Sequence, residues 1–231
     1  MGPPLRQLKG FQLAGVARGL IYLHSNGMIH GDLKGVRYWP FGVLHRLDKS
    51  IKANILIDRT GNALLADFGL LTIISDPANL LSSSSNTQTQ GGTVRWMSPE
   101  LIAPDQFGFE KSRPTEASDC YALGMVVYEV ISGKLPFHND TNIAVSFKVV
   151  KGERPLREPK FTNRLWGMLE WCWASHPDNR PGIKDVLRCL ETASNLQEPS
   201  TQGDVAFEES IHNTFVANIQ SLVYSYSQPS L

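Results

Sequence analysis

Residues 28–34 read MIHGDLK: a two-residue apolar run, Met28 and Ile29, opens into a polar loop carrying His30, Asp32 and Lys34. Two further stretches follow in order, DFG at residues 67–69 and GGTVRWMSPE at residues 91–100. Taken singly, each has a bland reading. Aspartate is common in turns, and Asp-Phe-Gly also describes a strand end followed by a glycine turn. Taken together and in this order, they place a carboxylate beside a cation, then a second carboxylate, then a Gly-Thr loop closing on Pro-Glu, and the bland readings no longer account for all three.

The surrounding sequence supplies the elements. Leu5, Leu8, Leu13, Val16, Leu20 and Leu23 recur at helical spacing over residues 5–24, and Asn26-Gly27 stops that helix. NILID (residues 54–58) and ALLAD (63–67) are short strand-like runs, and RTGN (59–62) between them reads as a hairpin turn. Residues 82–92, SSSSNTQTQGG, are polar and low in complexity, the composition of a mobile loop. Thr115 to Ser132 reads as a buried helix ended by Gly133, and helical patterns recur near 141–151, 161–174 and 183–193. Trp96, Trp171 and Trp173 are expected to fill the core. From Ser194 onward Ser, Gln and Asn dominate, so residues 194–231 are expected to be a mostly disordered tail with a short helix near 211–223. The order is helix, small hairpin, long loop, then helices, which makes the fold mainly α.

Composition narrows the function. Lys plus Arg and Asp plus Glu both number 22, giving zero net charge, and nothing in that balance points to nucleic acid or an acidic membrane surface. Hydrophobic residues make up 42% of the 231, enough for a sizeable core. Cys120, Cys172 and Cys189 are scattered, without a C-x-x-C pair, and read as free thiols of a reducing compartment. The N-terminal MGPPLRQLKG has no apolar signal core, and Arg at position 6 argues against myristoylation. The longest apolar stretch, Tyr121 to Ile131, is broken by Glu129 and is too short to span a bilayer. An intracellular, cytoplasmic location is expected.

On these motifs residues 5–193 resemble the helical C-lobe of a eukaryotic protein kinase, and GTVRWMSPE with SDCYALGMVVYEV resembles the tyrosine-kinase-like branch of the serine/threonine kinases. The resemblance implies an α+β family fold of which this chain carries the mainly α lobe with a small β-hairpin. It implies ATP and Mg2+ as cofactors and a protein hydroxyl as acceptor. Asp32 takes the place of the catalytic base, and Lys34 that of the cation that neutralises the transferring phosphoryl group. Asp67 takes the place of a magnesium ligand, with Phe68 packing near His30 and Gly69 closing the motif. Thr93 matches the threonine that contacts the catalytic aspartate. Glu100 and Arg180 (in HPDNRP) match a buried structural ion pair, and Asp119 matches a helix-opening aspartate that accepts backbone hydrogen bonds from the catalytic loop. Ser82–Ser85, Thr87 and Thr89 lie where activation-loop phosphorylation occurs in the family.

Three departures qualify the likeness. Gly31 replaces the arginine that answers an activation-loop phosphate. The family pattern puts an asparagine, the second magnesium ligand, five residues after the base. Here position 37 is Arg, and deleting Val36–Lys52 restores HGDLKGANILID with Asn54 in register. That seventeen-residue insert has no period, and its bounds suit a retained intron, since valine codons begin GT and one lysine codon ends AG. Within it His45-Arg46-Leu47-Asp48 faintly resembles the catalytic motif, but Asp48 is one residue out of register with Asn54. Finally, Met1 lies so close to His30 that the ATP-binding N-lobe is expected to be absent. Transfer to a protein Ser/Thr hydroxyl is therefore expected to be impaired in this chain, and a partner-binding pseudokinase C-lobe, or a fragment of an incomplete gene model, is carried beside the kinase reading, with oligomeric state open.

Overall fold

The structure is a computed structural model that describes residues 5–35, 37–38, 54–57, 63–65, 72–73 and 93–195. The expected motif Asp67-Phe68-Gly69, the 59–62 turn, the serine-rich loop, Asp48, most of the insert and the 194–231 tail beyond Asn195 lie outside the described residues.

The described chain is mainly helical. Helix α1 (Leu5–Ser25) is followed by strands β1 (Met28–Ile29), β2 (Arg37–Tyr38), β3 (Ile55–Ile57), β4 (Ala63–Leu65) and β5 (Thr72–Ile73). Helices α2 (Pro99–Ile102), α3 (Glu116–Ser132), α4 (Asn142–Val150), α5 (Asn163–Cys172) and α6 (Ile183–Asn195) complete it, with 3-10 turns at Thr93–Arg95, Pro104–Phe107 and Pro177–Asn179. β3 and β4 form the antiparallel hairpin, Leu56 opposite Leu64. Two pairings were not legible in sequence. β1 runs antiparallel to β5, and β2 runs parallel to β3 with Arg37 opposite Leu56. The insert is thus not wholly looped out, because its second and third residues extend the hairpin sheet by one strand.

α1 ends where Asn26 and Gly27 donate to the carbonyls of Leu23 and His24, with Gly27 at φ 69°, a left-handed conformation natural to glycine. Its apolar side, Leu13, Val16, Ala17, Leu20 and Leu23, is buried, and α1 packs on α6, β4 and α3. Arg18 reaches Glu191 of α6 at 2.9 Å.

α3 is buried nearly all round, as expected of a helix at the centre of a helical lobe. Thr115 caps it reciprocally with Ser118, and Gly133 (φ 74°) ends it by donating to the Glu129 carbonyl. Gly124 lets α3 approach α5 closely: a β-carbon there would lie 2.7 Å from Trp173 Nε1 and 2.9 Å from Cys172 Cβ. Tyr128, Phe161, Trp166 and Trp173 form a ring cluster on this side, with Tyr128 and Phe161 stacked at 5.3 Å.

Trp96 and Trp173 are buried, but Trp171 is not: it is 46% exposed. The reason is helical phase. Met168, Leu169 and Cys172 define the buried face of α5, and Trp171 stands about 100° from Cys172, turned toward solvent. Among the described residues no helix is long and apolar enough to cross a membrane.

Candidate active site

The site begins where α1 hands the chain to β1. His30 and Gly31 follow β1 directly, and both of their amides point at one carboxylate: His30 N donates to Asp119 Oδ2 and Gly31 N to Asp119 Oδ1, each at 2.9 Å. Asp119 sits in the first turn of α3, where negative charge is favoured by the helix dipole. A third partner was missed in sequence. His24, near the end of α1, places Nε2 at 2.9 Å from Asp119 Oδ2, with its side chain 8% exposed. Only its two-residue distance from the Asn26-Gly27 stop, which points the helix end at the loop, could have marked it.

Held this way, the loop presents Asp32 and Lys34. The Lys34 ammonium donates to Asp32 Oδ2 at 2.5 Å and to Thr93 Oγ1 at 3.1 Å. A lysine has three donors, and among the described residues two of them are taken. Among the described residues Asp32 Oδ1 accepts no hydrogen bond, and the Asp32 side chain is only 15% exposed. Thr93 meets Asp32 through this shared ammonium.

Asn54 returns to the same loop across the insert. Its amide N donates to the Lys34 carbonyl at 3.1 Å, and its Oδ1 accepts from Lys34 N at 2.8 Å. Its Nδ2 donates to the Asp32 carbonyl. Asn54 is fully buried, so these bonds are what satisfy it. In kind, the donors fit magnesium: Asn54 Oδ1 is a hard oxygen with a second lone pair left after Lys34 N, and Mg2+ is held through few protein oxygens plus phosphates and water.

Further out the scaffold is ionic. Arg180 makes a bidentate pair with Glu100, Nη1 to Oε1 and Nη2 to Oε2, both 2.7 Å, while Ser98 Oγ donates to Glu100 Oε1 at 2.7 Å. Arg180 also donates to the carbonyls of Ala174 and Ala117 and lies 5.1 Å above the Tyr121 ring, tying the Ser98-Pro99-Glu100 segment to α3 and the 3-10 turn at 177–179. Burial pushes the Tyr121 hydroxyl up to about 12, with no hydrogen-bond partner among the described residues.

The structure therefore brings together His30, Asp32, Lys34, Asn54, Thr93 and Asp119, and separately Glu100 and Arg180. Asp67, Phe68 and Gly69 lie outside the described residues.

Comparison with known proteins gives the lineage. A family model described as protein tyrosine and serine/threonine kinase matches residues 42–190. The match takes in Asn54, Asp67, Thr93, Glu100, Asp119 and Arg180, and it begins within the insert, so it includes Asp48 and leaves out Asp32. The chain is 31% identical over 178 residues to a probable serine/threonine-protein kinase of Dictyostelium discoideum, covering 76% of this chain and 16% of that protein. It is 34% identical over 175 residues to a dual specificity protein kinase of the same organism, covering 75% of this chain and 11% of the relative. Against a serine/threonine/tyrosine-protein kinase of Arabidopsis thaliana it is 30% identical over 178 residues, 76% of this chain and 37% of the relative. The chain thus spans well under half the length of these relatives. With more than half of its residues matched by the family model, the chain belongs to the protein tyrosine and serine/threonine kinase family.

Proposed function

We propose that this chain carries the catalytic half of a serine/threonine protein kinase of the tyrosine-kinase-like branch, moving the γ-phosphoryl group of ATP to a protein hydroxyl. The observation that carries the reading is the return of Asn54 to the Asp32–Lys34 loop despite nineteen intervening residues between Lys34 and Asn54. Misplacing such a group by about 1 Å costs roughly 100-fold in rate, and the hydrogen bonds to Asp32 and Lys34 oppose such a displacement.

In this reading the acceptor hydroxyl rests on Asp32 Oδ1, which takes its proton as the new O–P bond forms and the bond to ADP breaks. Lys34 holds its remaining donor toward the phosphoryl oxygens. Asn54 and Asp67 would hold magnesium, which would supply charge neutralisation for the phosphates. Thr93 orients Lys34 and the acceptor. Lys34 and Thr93, with the serine/threonine names of relatives, support Ser/Thr over Tyr as acceptor. The three cysteines are free thiols, in keeping with the cytoplasm. Partners are then nucleotide and protein substrate, with no nucleic acid or membrane.

A second reading, a partner-binding lobe without chemistry, is favoured by the exposed face of α4, where Ile143 and Phe147 are 73% and 65% exposed. Transfer of labelled phosphate from Mg-ATP to a generic protein acceptor separates the two. Transfer by the wild-type chain, abolished in Asp32→Asn, supports the kinase. No transfer, with no rise in melting temperature under saturating Mg-ATP, leaves the binding lobe.

A further inference from the structure

Thr93 holds the Lys34 ammonium, and two residues later Arg95 turns the opposite way, into the protein. Its guanidinium is buried, at 9% residue exposure, and Nη1 donates to the carbonyls of Pro136 at 2.8 Å and Phe137 at 2.6 Å, while Nη2 donates to that of Asp140 at 2.7 Å. The Asp140 carboxylate is engaged elsewhere, with both oxygens 2.8 Å from Lys148 Nζ of α4. So among the described residues the desolvated Arg95 charge is met by main-chain carbonyls. Burial accordingly holds its pKa below the ordinary arginine value, an effect the Asp140 charge opposes.

The loop it grips is unusual. Phe137 has φ 53°, a conformation that a bulky residue adopts only when its surroundings impose it. Its carbonyl takes both Arg95 Nη1 and the Asp140 amide, the latter at 2.9 Å. Among the described residues every hydrogen bond between the 93–97 turn and the 136–140 loop comes from Arg95.

We infer that Arg95 is a positioning residue: by clamping three carbonyls of the 136–140 loop it fixes the Thr93–Arg95 turn so that Thr93 Oγ1 meets Lys34 Nζ beside Asp32. The clamp uses the guanidinium fork, which spans three acceptors in a plane, whereas a lysine ammonium is a point donor on a flexible stem. Its catalytic consequence rests on the kinase reading given above, while the clamp itself stands on geometry.

The test uses the full chain as wild type, Arg95→Gln and Arg95→Lys, with two readouts. In amide exchange resolved by residue, Arg95→Gln speeds exchange at Trp96 and Met97, which donate to Thr93 O and Val94 O, and at Asp140, by about tenfold, with the α3 amides unchanged. Arg95→Lys falls between. Unchanged exchange at Trp96 and Met97, or equal acceleration through α3 and α6, overturns the inference, the latter being general loosening. In phosphate transfer, Arg95→Gln lowers kcat by about tenfold with the KM for ATP unchanged, and an unchanged kcat overturns the inference. A wild-type chain that transfers no phosphate removes the kinase reading, while the exchange result still decides the clamp.

Discussion

Asn54 lies against Asp32: its side-chain amide donates to the carbonyl of a residue 22 positions earlier, while its own backbone and side-chain oxygen close on Lys34. Among the described residues the buried asparagine is bonded to the Asp32 loop. Asp32 stands inside this bonded cluster, whereas Asp48 falls inside the family match and outside the described residues.

Asp32→Asn should therefore lower phosphate transfer by about 10²–10⁴-fold, the usual contribution of a positioned base, and Asp48→Asn should leave the rate unchanged. Steady-state transfer by the two variants decides it. Loss at Asp48 with retention at Asp32 would reverse the assignment.

Asp119 answers two loop amides and His24 at once. Asp119→Asn swaps one acceptor for a donor facing a donor, leaving one buried group unpaired at a cost of about 1–3 kcal/mol. His24→Ala removes a single hydrogen bond and should cost about 1 kcal/mol. Urea unfolding should rank the variants in that order, and the His30 and Gly31 amides should exchange faster in Asp119→Asn.

The Glu100–Arg180 pair is almost wholly buried, with side-chain exposures of 4% and 0%. Removing one partner strands the other, so Glu100→Gln or Arg180→Met should each destabilise by about 3–5 kcal/mol. The double variant Glu100→Leu with Arg180→Met should recover part of that loss, because no lone charge is left behind. Additive losses in denaturant titrations would contradict this.

At Gly124 two effects oppose. Alanine favours a helix interior over glycine by about 1 kcal/mol, but its β-carbon would meet Trp173 Nε1 at 2.7 Å and Cys172 Cβ at 2.9 Å. Overpacking of a tight core costs about 1–3 kcal/mol, so Gly124→Ala should lower the melting temperature.

Tyr121 sets an alkaline limit. Its hydroxyl is raised by burial from 10.0 to about 12, so the folded state keeps a proton that the unfolded chain releases. That contribution is fully present below pH 10 and is lost as pH climbs from 10 toward 12. Tyr121→Phe should flatten the fall of stability over that window. It should cost little at neutral pH, because the hydroxyl has no partner among the described residues. Cys172, its thiol raised by a hydrogen bond with Cys120 and by burial, also contributes alkaline lability, so the comparison is of slopes between the two proteins.

Much of the helical scaffold could be read before the structure because its signals are local. The Leu13–Leu23 period, the Asn26-Gly27 stop and the Gly133 end lie within a few residues of what they govern. The hairpin strands were likewise marked by apolar runs. What escaped is non-local. β2 and β5 are two-residue strands whose only signature is their partner, and Arg95 and His24 gain meaning only from carbonyls and carboxylates far along the chain. Trp171 was misread because composition reports that a residue is large and apolar, while helical phase decides where it points.

The junction at Lys34 and Asn54 has a consequence for how this chain can change. Because Asn54 N bonds the Lys34 carbonyl, the intervening segment departs and rejoins at one point, as a detour from a closed gate. Closing such a loop costs entropy that grows only logarithmically, about 0.6 kcal/mol for each doubling of its length. Residues added between Tyr38 and Asn54 should therefore leave the gateposts in place, whereas trimming Arg37 or Tyr38 would remove the strand that pairs with β3, so a tag, a reporter or a foreign module is best accommodated after Tyr38.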